Sequence, residues 1–251
     1  MKLRVSYCIE HGINKQICDD TALIGTQVIN DQTGIVELET PAWICLCDGV
    51  GGNAGGQDAS VFVAHEFSLK EKPNCVDDVR KIFHSVNESL LTRAANTIDH
   101  KQMATTATAL YFSETASYLG HVGNTRLYSK RGQFIQQITN DQTTYQWLLD
   151  HGNTEAAELC DRSEIRGAIG GGRSEFLSPL ITEQVFERKI PNVMILTTDG
   201  VHDYLSQDEI EEIITEAENC SDIPSIICHR AIDKGSNDDR SVIIVEKIAS
   251  E

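Results

Sequence analysis

Apolar runs of strand length, bounded by polar or turn residues, recur along this chain. They cover Leu3–Cys8, Thr21–Val28, Trp43–Cys47, Thr105–Phe112, Ser117–Val122, Arg126–Lys130, Phe134–Ile138, Val193–Thr198 and Ser241–Lys247. Their β-branched content and turn-rich flanks predict strands. Ser113-Glu114-Thr115, Gly123-Asn124-Thr125 and Arg131-Gly132-Gln133 separate consecutive runs, and connections this short predict antiparallel hairpins. Helical spacing punctuates the strands. Asp58–Lys70 follows a glycine-rich loop, and Cys75–Thr97 carries Val79, Ile82, Phe83, Val86, Leu90 and Leu91 on one face. Asp141–Gly152, Ser206–Ala217 with Ser206 as N-cap, and Ile223–Lys234 complete the set. Strands grouped in meanders and helices in pairs argue for an α+β fold, not alternating βαβ units. The expected architecture is a central β-sandwich of two mainly antiparallel sheets flanked by helices, in four layers α-β-β-α.

No repeat, low-complexity tract or linker divides the 251 residues, so one domain over 1–251 is expected. The pattern weakens only over 152–179, around Gly170-Gly171-Gly172. A flap over a site and a plain surface connection both suit such a segment.

The net charge of −17 argues against nucleic-acid or anionic-membrane surfaces, which need local positive charge. No stretch approaches the ~20 apolar residues of a membrane span. The N-terminus reaches Glu10 and His11 without a signal-peptide core. Eight cysteines lack a framework spacing, and Cys45-Leu46-Cys47 supplies no zinc cage. A cytoplasmic monomer with reduced thiols is the resulting expectation.

Chemistry enters with four acidic clusters at or near the ends of apolar runs: Cys18-Asp19-Asp20, Cys47-Asp48-Gly49, Thr198-Asp199-Gly200 and Asn237-Asp238-Asp239. Strand ends carry side chains to the rim of a sheet, where distant acids can converge. Two carboxylates 4 Å apart repel by roughly 4 kcal/mol at an effective dielectric near 20. A fold that gathers several therefore tends to hold a cation, and oxygen ligands favour Mg²⁺ or Mn²⁺ over zinc or copper. Gly49-x-Gly51-x-x-Ala54 also matches a dinucleotide fingerprint superficially. That reading needs a βαβ context, whereas another long helical pattern follows, and Asp48 puts negative charge where a pyrophosphate would lie.

Taken in order, the motifs resemble a family. They are Lys15-Gln16-Ile17-Cys18-Asp19-Asp20, the Asp48 loop, Met103-Ala104-Thr105-Thr106-Ala107 and Gly120-His121-Val122-Gly123-Asn124-Thr125-Arg126-Leu127-Tyr128. Ile138-Thr139-Asn140-Asp141-Gln142, Arg166-Gly167-Ala168-Ile169-Gly170, the Asp199 motif and the Asp238 motif follow. The chain is similar to the metal-dependent serine/threonine protein phosphatases of type 2C, in particular their compact bacterial members. The resemblance implies hydrolysis of phosphoserine and phosphothreonine in phosphorylated protein substrates by water activated at two Mn²⁺ or Mg²⁺ ions. Asp48 would bridge the ions, the Gly49 carbonyl would bind one, and Asp199 and Asp238 would complete the set. Asp19 and Asp20 would position water, and Lys15 would stand where many members grip the phosphate with arginine. Asp203 and Asn124 fall where a third, looser ion would sit.

Several positions depart from the family pattern. Lys15 lacks arginine's bidentate fork. Val50 cannot donate a proton, and His202 reads as structural. Cys18 replaces asparagine before the acidic pair, and Asn124 replaces an aspartate. These departures leave open an alternative, a non-catalytic regulatory or binding module that keeps the phosphatase fold.

Overall fold

A computed structural model describes residues 1–50, 55–97, 102–114, 116–172, 177, 182–185, 193–217 and 221–248. The strands are β1 (Lys2–Glu10), β2 (Asp20–Ile24), β3 (Gln27–Ile29), β4 (Thr33–Glu39), β5 (Ala42–Asp48), β6 (Ala104–Thr105) and β7 (Ala107–Phe112). They continue with β8 (Ser117–Val122), β9 (Arg126–Arg131), β10 (Phe134–Gln137), β11 (Ile169–Gly170), β12 (Thr182–Val185), β13 (Val193–Thr197) and β14 (Arg240–Ile248). The helices are α1 (Gly56–Ser68), α2 (Val76–Ala95), α3 (Thr144–Asp150), α4 (Thr154–Leu159), α5 (Asp199–His202), α6 (Gln207–Glu216) and α7 (Ile223–Asp233).

Two six-stranded sheets form the centre, in the orders β10-β9-β13-β14-β1-β4 and β12-β8-β7-β5-β2-β3. Their strand pairs are antiparallel throughout. The alternation of a strand buried on both faces decides which layer each residue joins. Along β14, Ile243 and Val245 enter the core between the sheets, while Val242 and Ile244 face the layer that includes Ile210 and Ile227 of α6 and α7. Along β5, Ile44 and Leu46 point between the sheets. Trp43, Cys45 and Cys47 pack with Phe67, Phe83 and Leu90 of α1 and α2. Three apolar layers thus separate four structural layers, α-β-β-α.

The structure revises several local expectations. Thr21–Val28 is not one strand: Gly25 at φ 63° turns the chain, and β2 pairs back on β3. Gly123-Asn124-Thr125 is not a hairpin. β8 and β9 lie in different sheets, so this segment crosses from one to the other. Gly123 makes the crossing at φ 102°, and a β-carbon there would run into the side chain of Thr106. The helix expected from Asp141 begins only at Thr144, capped by Thr143 Oγ1 accepting from Gln146 N at 3.1 Å. Asp141 instead takes both carboxylate oxygens to Arg126, at 2.6–3.0 Å. Edge strand β4 escaped the reading because Gly34 and two glutamates dilute its apolar pattern, and its residues are exposed or half-buried.

Ser206 caps α6 as expected and forms a full capping box with Glu209. Among the described residues no helix is long and apolar enough to cross a membrane. The described cysteines are free thiols, and Cys8, Cys18, Cys45, Cys47 and Cys228 are buried. Burial, followed by the charges of Asp20 and Asp239, pushes the Cys18 thiol up, so it is not a reactive thiolate.

Candidate metal centre

Antiparallel register sets the first two acids. Asp48 is the last residue of β5 and Asp20 the first of β2, and they stand directly opposite one another. The turn after Asp48 is pinned from the β6–β7 side. Asp48 N donates to Thr106 Oγ1 at 3.0 Å, and the Asp48 carbonyl accepts from Thr106 N and Thr105 Oγ1, both at 2.8 Å. Gly49 N donates to the Asp19 carbonyl at 3.1 Å. Gly49 is required here, because a β-carbon would collide with the Gly56 carbonyl. Residues 51–54 of the glycine loop lie outside the described residues.

The other sheet contributes Asp199, at the start of α5 just beyond β13, and Asp238, in the loop before β14. Two contacts lock these segments together. Ser236 Oγ donates to the Gly200 carbonyl at 2.7 Å, and Gly200 packs so closely on the Asp239 carbonyl that no side chain fits. The inter-sheet crossing delivers Asn124, whose Nδ2 donates to Asp199 Oδ2 at 3.0 Å.

These residues share one cavity of about 360 Å³. Lys15, Asp48, Gly49, Asn124, Asp199 and Asp238 line it, and Ser163 and Ile165 border it from the 152–179 segment. Their electrostatics are those of crowded like charges. Burial is the main cause that drives Asp48 well above the usual carboxylate range, and Asp199, Asp20 and Asp238 add to it. Asp199 is pushed up to about 6, first by burial and then by Asp238 and Asp203. Such carboxylates need a proton or a cation. The donors are all oxygens, and Asn124 Oδ1 is buried with no hydrogen-bond partner. That chemistry fits a hard divalent cation. The side chains do not yet form a cage, however: among the described residues no three His, Cys, Asp or Glu are gathered as a ready ligand set. Asp238 is turned onto Lys15, and Asp199 onto Asn124.

The remaining sequence-derived residues fall into three positions. Asp19 lies beside the cavity, 3.6 Å from Lys15 Nζ, where it also accepts the backbone N–H of Gln57 at the start of α1. Asp20 is buried behind the wall, its Oδ2 accepting from Thr198 Oγ1 at 2.8 Å and Ser241 Oγ at 2.6 Å. Burial, then Asp239, pushes it up to about 8. Asp203 follows α5 as an exposed residue and is not among the cavity-lining residues, whereas Asn124 is. His202 is buried and bonded through Nδ1 to Thr197 Oγ1 at 2.8 Å.

Sequence reasoning passed over Asp239, whose carboxylate organises this end of the sandwich. It accepts from Gly12 N and Asp19 N, each at 2.7 Å, and from Lys15 Nζ at 3.0 Å. Its position inside the Asn237-Asp238-Asp239 cluster was the available signal; which acid faces inward is a matter of register. Thr106, Thr198 and Ser241 were missed too, since hydroxyls next to strand ends carry no distinctive pattern.

No protein-family model matches the chain. Curated relatives do. The serine/threonine protein phosphatase PstP of Mycobacterium tuberculosis is 29% identical over 217 residues, covering 82% of this chain and 40% of PstP. The chain therefore spans about two fifths of the length of that relative. The serine/threonine phosphatase stp of Listeria monocytogenes is 23% identical over 233 residues, covering 86% of this chain and 89% of stp. Among solved structures, that of the M. tuberculosis phosphatase PstP/Ppp matches with a TM-score of 0.80 at 22% identity, over 99% of this chain and 100% of the other. The catalytic domain of PstP in complex with two manganese ions matches at 0.77 and 20% identity, over 99% and 100%. The fold is that of bacterial serine/threonine phosphatases. By sequence likeness and fold together, the chain is similar to the bacterial serine/threonine phosphatases.

Proposed function

We propose that this protein hydrolyses phosphoserine and phosphothreonine in protein substrates, using water activated at a pair of Mn²⁺ or Mg²⁺ ions. One observation carries the reading: Asp48, Asp199 and Asp238, from three separate segments and both sheets, border a single cavity. The relatives' names as serine/threonine phosphatases and the two manganese ions of the PstP catalytic domain support it.

Asp48, Asp199 and Asp238, with the Gly49 carbonyl, would hold the ions. Bound divalent cations acidify water and stabilise an in-line attack at phosphorus. The chain's own residues supply the frame. Thr105 and Thr106 fix the backbone that presents Asp48. Asp20 holds Thr198 and Ser241 and so ties the Asp199 strand end to β14. Val50 has no proton to give, so this side chain does not protonate the leaving group. Among the described residues Lys15 is the cation that lines the cavity. Asp203 is absent from the lining, and the reading rests on two ions.

Hydrolysis of a phosphothreonine peptide, followed with Mn²⁺ and with a chelator, tests the proposal. Turnover should require the metal, and Asp199→Asn should lower it by about 10²–10³-fold, the scale of a lost electrostatic contact to the reacting centre. Full turnover by Asp199→Asn would refute the assignment. Mn²⁺ binding without turnover on any phosphopeptide would favour the non-catalytic module.

A further inference from the structure

Lys15 makes more contacts with acids than a phosphate-binding lysine needs. Its Nζ lies 2.6 Å from Asp238 Oδ1, 3.0 Å from Asp239 Oδ2 and 3.6 Å from Asp19 Oδ2. An ammonium has three N–H donors, and here three carboxylates surround it. The grip is built in from the backbone outward. Lys15 N closes a turn on the Gly12 carbonyl at 2.9 Å, and Gly12 N is itself anchored on Asp239. Asp239 is almost fully enclosed, with a side chain 4% exposed, so the ammonium has a fixed anchor below Asp238. Arg240 secures the other side, donating to the Asp238 and His11 carbonyls at 2.6 and 2.9 Å.

The carboxylate of Asp238 is thus claimed twice. It borders the cavity with Asp48 and Asp199, and it is the shortest partner of Lys15. We propose that Lys15 is a tethered counter-ion that competes with the divalent cation for Asp238. Cation binding has to displace or share this ammonium, so Lys15 sets the metal affinity low and holds the carboxylates together when metal is scarce. This rests on the reading of Asp238 as a metal ligand. It differs from a phosphate-gripping role, which would leave metal affinity alone.

Calorimetric titration of Mn²⁺ into the full chain and its Lys15→Met variant, without any substrate, separates the cases. Competition predicts about tenfold tighter Mn²⁺ binding by Lys15→Met, a difference of about 1.4 kcal/mol. It also predicts a lower Tm for the variant in chelator, recovered by Mn²⁺. Lys15→Gln serves the same comparison should the methionine variant not fold. Arg162→Met is the control for a simple loss of positive charge, because Arg162 stacks on Tyr145 at 4.4 Å and is not among the cavity-lining residues. An equal gain from Arg162→Met, or unchanged or weaker binding by both Lys15 variants, overturns the proposal while leaving the metal centre standing. If neither the native chain nor the variants bind Mn²⁺, the metal reading fails with it. Binding by the variants alone supports the competition and refutes the native chain as a metalloenzyme.

Discussion

The two flanks of the acidic cavity handle the same problem differently. On one flank, Asp19, Asp238 and Asp239 share a single ammonium, and Asp239 also collects two backbone N–H groups. On the other, Asp48 and Asp199 have no basic partner among the described contacts. Asp199 takes a neutral amide from Asn124, and both carboxyls are driven upward. The first flank is paired by the chain itself, although burial still pushes Asp19 up. The second is under electrostatic stress, which an added divalent cation would relieve. A cavity of this kind is half closed by its own lysine and half open to a metal.

Three substitutions break or sharpen that contrast. The largest effect belongs to Asp239→Ala, which takes away two backbone bonds and an ion pair inside the paired flank. Hydrogen bonds to a charged group contribute ~1.5–3 kcal/mol each when buried, and part is regained through water, so a loss of about 3–4 kcal/mol is expected in urea unfolding. A loss under 1 kcal/mol would mean that Asp239 does not organise the site. Gly200→Ala comes next, because it wedges the flanks apart. Alanine in an exposed helix position gains about 1 kcal/mol over glycine. Here its β-carbon runs into the Asp239 carbonyl, which puts the ~1–3 kcal/mol cost of overpacking at its upper end, so a net loss of about 1–2 kcal/mol is expected. An increase in Tm would contradict the close packing.

The smallest effect is that of Asn124→Asp, which removes the amide donor from the stressed flank and adds a charge. Stability in chelator should fall by about 1 kcal/mol, and calorimetry should show Mn²⁺ binding several-fold more tightly. The two changes must have opposite signs. Loss of both stability and metal affinity would show that Asn124 is only a packing residue.

Much of the fold was legible because burial on two faces leaves a mark in the chain. The runs that became β5, β7 and the centre of β14 are nearly continuous apolar segments, and alternation along them assigns each residue to an inner or outer layer. What alternation does not encode is the neighbour. Gly123-Asn124-Thr125 has the composition of a hairpin turn, yet it passes between sheets, because β9 pairs with β13 rather than with β8. That crossing puts Asn124 on Asp199. The acids themselves were visible as strand-end clusters, and the resemblance singled out Asp238, but only the structure shows that Asp239 turns inward while Asp238 borders the cavity.

The chain alone therefore determined the layers, the strand-end acids and their oxygen-only chemistry, since these depend on local periodicity and residue type. Only the tertiary structure decided that Lys15 clasps Asp238, that Asn124 reaches Asp199 and that Asp20 is sealed behind two hydroxyls. Those pairings join residues separated by 75 to 223 positions, and the energy of a charge depends on what packs around it, not on what stands beside it in the sequence.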